Sequence, residues 1–206
     1  MDFKLPVIPS ALALALSTTV SAQGVSVGEA ISEWPQGQQD TVQMMIEKYG
    51  EPSGATNDRV VWTESDGPWD ETIVYREAIE HEFPMPHEDY LEQSVFLEVP
   101  ADKMDELSEF DGSIIVYRTE GRIAARCDKE AANFLALNLA HDIINDDKSV
   151  ERAREEYADA IREMLSGTTP EIMSQLTFEP MDQDRAAAAD VSVIDPDEQP
   201  SGVAGN

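Results

Sequence analysis

An α+β fold is predicted for this chain: a mainly antiparallel sheet of about five strands, helices packed on one face, and two long helices at the C-terminal end. Three features of the sequence predict it. Runs rich in β-branched and aromatic residues come in pairs separated by turn residues, which is the pattern of hairpins and so of antiparallel pairing. Helical periodicity dominates from Lys129 to Leu165. The alternation of single strands with single helices that builds a parallel sheet is missing.

Residues 23–38 are polar and Gly-rich around Trp34-Pro35 and read as a flexible lead-in. Asp40 then reads as a helix N-cap, with Val42, Met45, Ile46 and Tyr49 at helical spacing, Gly50 as the stop and Pro52 beyond it. Arg59–Thr63 and Thr72–Ile79 form a predicted hairpin around Asp66-Gly67-Pro68. In Phe83-Pro84-Met85-Pro86-His87 the alternate prolines remove ladder donors, so this stretch is an extended connection or an edge. Gln93–Val99 is the next strand, and Pro100 opens a short helix through Met104, Leu107 and Phe110 that Gly112 ends. Ser113–Thr119 and Arg122–Arg126 form a second hairpin around Glu120-Gly121.

Asp128 is the expected cap of the longest helix, which runs to Asn145 and is apolar nearly all round, as a buried helix must be. Ser149 caps a last helix with Val150, Ala153, Tyr157, Ile161 and Leu165 on one stripe. Residues 39–178 therefore make a single α+β domain, with Gly167–Phe178 as its capping segment. From Glu179 to Asn206 the Ala, Asp, Gln, Pro and Gly composition predicts a disordered acidic tail.

At the other end, Lys4, the apolar run Leu5–Leu16 and the small residues Val20 and Ala22 are the parts of a signal peptide, residues 1–22, cleaved after Ala22. The apolar run is too short for a bilayer, which takes about 20 residues of helix. The expected product is exported, periplasmic or secreted, with no membrane insertion. Cys127 is the one cysteine, so no internal disulfide staples the fold even though export would permit one.

Charge is the strongest compositional signal: 42 acidic residues face 14 basic ones, a formal net charge of -28. From Gln23 to Phe178 there are 34 acidic against 12 basic residues, so the excess is not confined to the tail. Nucleic acid is excluded as a partner by repulsion from its phosphates, and anionic membrane likewise. Salt shortens the range of self-repulsion from about 10 Å at 0.1 M to about 3 Å at 1 M, so the composition points to a salt-rich setting. Cations, or a cationic ligand, taking up the charge are the alternative.

The stretches GPWDETIVYREAIEHEFPMPHEDYLEQ and DGSIIVYRTEGRIAARCDKEAANFLALNLAHDII resemble an uncharacterised family of exported bacterial proteins, over residues 40–165. That resemblance implies export and no particular activity. VQMMIEKYGEP followed by RVVW is also similar to small envelope-assembly lipoproteins, although the lipid-bearing cysteine of those proteins has no counterpart here.

Few residues offer chemistry. Cys127 sits between a strand and a helix N-terminus beside Arg126, and both dipole and cation would lower a thiol pKa; the bland reading is a small packing residue. His141 is fourteen residues along the same helix, about 21 Å away, and cannot serve Cys127 as a base. His81 and His87 flank Phe-Pro-Met-Pro among Glu80, Glu82, Glu88 and Asp89; they are candidate metal ligands, or else a solvated loop pair. Asn138 and His141 share one side of the long helix and form a candidate ligand notch, or a hydrogen-bonded core pair. Asn145, Asp147, Ser149 and Glu156 copy some calcium-loop positions, but Val150 stands where that loop needs Gly, which excludes it. Gly-x-Ser-x-Gly, the P-loop, the dinucleotide fingerprint and paired-Cys motifs are absent from the sequence.

These residues specify no reaction and no cofactor. The reading they favour is a non-enzymatic extracytoplasmic binding or interaction module adapted to high salt, with an envelope protein or a small ligand as partner. The alternatives are a thiol- or metal-dependent enzyme using Cys127 or His87, and a cation-binding envelope protein.

Overall fold

The computed structural model describes residues 26–63, 66–187, 190 and 192–195. The predicted signal peptide, residues 1–22, and the last part of the predicted tail, residues 196–206, lie outside them.

The sheet has six antiparallel strands: β1 (Gly54–Ala55), β2 (Arg59–Thr63), β3 (Glu71–His81), β4 (His87–Phe96), β5 (Ile114–Tyr117) and β6 (Arg122–Cys127), in the order β1-β2-β3-β4-β6-β5. The added strand, β1, has two residues and no alternation for the sequence to show. Both predicted hairpins are present, β2–β3 and β5–β6. A third joins β3 to β4 through residues 82–86, so the proline-rich stretch is a hairpin loop and His87 already belongs to a strand.

Side-chain alternation fixes the two faces. Val74 pairs with Leu91, and Leu91, Gln93 and Val95 pair with Cys127, Ala125 and Ile123, which puts all of them on one face. That face carries the helices. α2 (Gln36–Tyr49) buries Val42 and Met45 against Val60, Trp62, Val74 and Leu91. α4 (Glu130–Ile144) lies over Val95, Ile123 and Ala125, and every residue from Ala132 to Ala140 is buried. α3 (Met104–Phe110) and α5 (Val150–Leu165) pack on α4 from outside, supplying Leu107, Phe110, Ala153, Tyr157 and Ile161 to the same core. α4 is thus apolar all round because it has sheet beneath it and helices above. Ser149 caps α5 by accepting from the Arg152 N–H, as the sequence predicts.

The opposite face is finished by its own side chains. Glu92, nearly buried, accepts from the hydroxyls of Tyr75 (3.1 Å) and Tyr117 (2.9 Å) and from Arg126 Nε (3.0 Å). The Arg126 guanidinium lies 4.4 Å from the Tyr75 ring centre, an added cation–π contact.

Three boundaries differ from expectation. Residues 23–38 are not a flexible lead-in where they are described: Ser26 and Glu29 form a capping box that starts α1 (Val27–Ile31), and Trp34 is buried with its Nε1 donating to the Asn57 carbonyl at 3.1 Å. α2 begins at Gln36, not after an Asp40 cap, because its first turn faces the sheet with polar residues; Gln38 is buried and donates to the Arg76 carbonyl at 3.2 Å. The cap position of α4 is Lys129, not Asp128, and no side chain closes it.

The disordered tail does not begin at Glu179. Met181 N–H donates to the Phe96 carbonyl at 2.8 Å, α6 (Gln183–Ala186) follows, and Ala186 is buried against Gly121. Gly121 holds φ +72° at the β5–β6 turn, and a Cβ there would lie 2.4 Å from the Ala186 carbonyl carbon. The segment is tied down by backbone bonds, by Met181, whose Sδ accepts the Glu98 N–H at 3.4 Å, and by Ala186, and these leave no periodic apolar face to read.

Candidate functional site

The β3–β4 hairpin ends in a cross-strand histidine pair, His81 opposite His87. Phe83 anchors the loop between them, its ring 5.0 Å from Tyr157 and 6.4 Å from Phe110, with the Arg154 guanidinium stacked 3.8 Å above it. Along β4, His87 and Asp89 have the same parity as Leu91 and so share the helix-bearing face. That alternation drives a carboxylate into the interior: the Asp89 side chain is 2% exposed, beside histidines that are 17% (His81) and 16% (His87) exposed.

The two oxygens of Asp89 have different fates. Oδ2 accepts the Ser113 hydroxyl and lies 3.2 Å from His81 Nδ1. Oδ1 is buried and makes no hydrogen bond, although His87 Nε2 is only 3.0 Å away. His87 Nδ1 is 2.8 Å from the Met85 carbonyl, which can only accept, so the neutral ring carries its proton on Nδ1 and turns a bare Nε2 lone pair toward Oδ1. His81 Nδ1 lies 3.2 Å from the Ser113 hydroxyl oxygen as well as from Asp89 Oδ2, and its Nε2 lies 3.5 Å from Asp111 Oδ1. Asp111 is held by the Ser113 N–H at 2.8 Å. Burial pushes its carboxyl pKa up, against the Ser113 N–H and His81, which lower it.

One ligating atom from each of His81, His87 and Asp89 lies within 4.8 Å of the other two. Two imidazoles and a carboxylate form the donor set of zinc-class sites with an open position, and His87 has the outer partner that such ligands use, a backbone carbonyl. The same set is poor for calcium, which takes six to eight oxygens. The fit rests on the orphaned Asp89 oxygen, since a buried carboxylate oxygen without a partner is costly and a cation shared with the two imidazoles would supply one.

Beside this cluster, between loop 84–87 and the helices α4 and α5, is a cleft of about 250 Å³. His87 and Cys127 both line it, with Tyr157, Ala132, Ile161 and Met164 among its walls.

The other residues singled out from sequence behave differently. Cys127 is buried at the end of β6, its Sγ 3.6 Å from Asp128 Oδ1. Burial pushes its thiol well up, and the charges of Asp128 and Asp89 add to that. The expected help from Arg126 is lost to strand alternation: Arg126 points to the opposite face and is engaged by Glu92. Asn138 and His141 do not form a notch facing a ligand. Asn138 is fully buried and donates to the carbonyls of Ile172 (2.9 Å) and Gln175 (2.8 Å), while His141 stacks on Phe178, ring centres 4.3 Å apart. Both hold the capping segment of the chain itself. Asp89 was one of four neighbouring acids named from sequence and is the one brought to the pair, while Asp111 and Ser113 were missed. The signal was present in His87-x-Asp89, but it counts only once His87 is known to lie in a strand.

Comparison of the chain with protein-family models, with curated proteins and with solved structures gives no match. Among the described residues no helix is long and apolar enough to cross a membrane.

Proposed function

We propose that this chain is an exported, non-enzymatic module that binds a divalent transition-metal ion of the zinc class through His81, His87 and Asp89, in a salt-rich extracytoplasmic setting. One observation carries the reading: Asp89 Oδ1, buried and without a hydrogen bond, lies 3.0 Å from His87 Nε2, with a ligating atom of His81 in the same cluster. Binding is favoured over thiol catalysis because burial keeps Cys127 protonated. Export and salt adaptation are supported by the signal-like N-terminus and the net charge of -28.

Isothermal titration of the protein with zinc, and separately with calcium, in 1 M potassium chloride tests the reading, since that salt suppresses loose association of cations with surface carboxylates. The expected result is one saturable zinc site that Asp89→Asn and the double variant His81→Ala/His87→Ala abolish, with calcium giving no comparable site. Zinc binding that those variants leave unchanged would overturn it. A saturable calcium site insensitive to them would favour the acidic surface as a cation buffer instead.

A further inference from the structure

The cleft beside the histidine pair has the features of a receptor for an organic molecule that reaches the ion. Three protein ligands leave one position of a tetrahedral ion open. Access to that position runs past His81 and His87, the two partly exposed members of the set, because Asp89 is sealed beneath them. His87 is shared: its ring belongs to the metal cluster and also forms part of the cleft wall.

The remainder of the wall is mainly apolar, with Asp128 and Lys129 as its charged members, and continues outward into side chains that water meets directly. Ile161, Met164 and Ala132 line the interior, and Leu165 (66% exposed) and Met85 (48% exposed) stand at the rim. Exposed apolar side chains gathered at the mouth of a cleft mark a place where apolar surface is to be covered. Within it lies one unengaged polar group. Tyr157 lines the cleft, and among the described residues its hydroxyl makes no hydrogen bond, so it is free to meet a guest.

We propose that the cleft takes a small monocarboxylate with an apolar chain, the carboxylate completing the coordination of the ion and the chain lying between loop 84–87 and α5; this rests on the metal reading above. Charge selects the head group. A divalent ion with the single carboxylate of Asp89 as ligand retains positive charge at its open position, which favours an anion. Asp111, Asp128 and the net charge of -28 disfavour a dianion. Size selects the class. About 250 Å³ is just below the about 300 Å³ at which ligand pockets usually begin, so the occupant is a short chain and not a peptide. The Tyr157 hydroxyl donates to the head group or to a water beside it.

The test uses the full mature chain and two probes of equal chain length, hexanoate and 1-hexanol, each titrated by calorimetry or NMR into zinc-loaded and zinc-free protein. Hexanoate is expected to bind the zinc-loaded protein at least tenfold tighter than the zinc-free protein, and hexanol to bind both alike. From butanoate to hexanoate each methylene should add about fourfold while the cleft has room. Leu165→Asp, a change at an exposed position, should weaken hexanoate severalfold without altering zinc affinity, as should Tyr157→Phe. Equal hexanoate affinity with and without zinc, in protein shown to hold zinc, overturns this inference and leaves the metal reading standing. The same zinc dependence for hexanol overturns the coordination of the head group. Failure to bind zinc overturns the metal reading and this inference with it.

Discussion

Asn138 Oδ1 accepts two hydrogen bonds from Thr177, one from the backbone N–H at 2.8 Å and one from the hydroxyl at 3.1 Å. With the two bonds its amide donates to Ile172 and Gln175, a single fully buried side chain ties α4 to the segment after α5. Asn138→Ala leaves two carbonyls and an N–H without partners and is expected to cost about 2–4 kcal/mol in urea unfolding. Zinc affinity should not change, which distinguishes a structural clamp from a ligand notch.

Cys127 should react slowly with an alkylating reagent in the native protein and quickly once unfolded, because its thiol is both buried and held protonated. Cys127→Ala should cost about 1–2 kcal/mol through a small cavity. Rapid native-state alkylation near pH 6 would point instead to an activated thiol.

Glu130 receives Lys48, Tyr49, Trp69 and Gln93, joining α2, the β2–β3 turn and the sheet to the first turn of α4. Burial opposes its ionisation, but the bonds from Lys48, Tyr49 and Trp69 outweigh that and hold its carboxyl below the usual range. A depressed carboxylate stabilises the fold above its unfolded pKa of about 4.3. That contribution is lost as pH falls through the lower folded value. Glu130→Gln should therefore cost about 1–3 kcal/mol at pH 7 and lessen the acid sensitivity of the unfolding midpoint below pH 4.3.

Gly121→Ala sets a methyl against the Ala186 backbone at a φ of +72° and is expected to cost about 1–3 kcal/mol. Limited proteolysis should then cleave within residues 181–187 sooner than in the parent protein. Equal cleavage rates would show that this segment is not held by the β5–β6 turn.

Urea midpoints should rise as potassium chloride is raised from 0.1 M to 2 M, since screening relieves repulsion in a chain of net charge -28. Exposed pairs such as Arg162–Asp159 weaken in the same salt but contribute little to begin with. A flat midpoint would count against salt adaptation.

Most of the fold was legible where apolar pattern and turn chemistry agree. Val60, Trp62 and Val74 alternate, Asp66-Gly67-Pro68 turns, and the stripe Ala153, Tyr157, Ile161 repeats at helical spacing. What stayed hidden is what polar residues do in buried places. Gln38 faces the sheet and so conceals the first turn of α2, and Ala186 packs by fitting against a glycine. The site was half legible for the same reason. His81 and His87 stood out by residue type, but the parity that aligns Asp89 with them needs the β3–β4 register, which the prolines at 84 and 86 disguise as a connection. Asp111 and Ser113 join from a different part of the chain and left no local signal.

Because His81 and His87 meet as partners across two strands, their separation is set by the ladder behind them and not by the five residues that link them. Apart from Phe83, which anchors it, and the Met85 carbonyl, which meets His87 Nδ1, the linker can change composition while the ladder keeps the imidazoles in place. Since that linker also forms one wall of the cleft, changes at Pro84, Met85 and Pro86 reshape the cleft without altering the pairing of the two histidines.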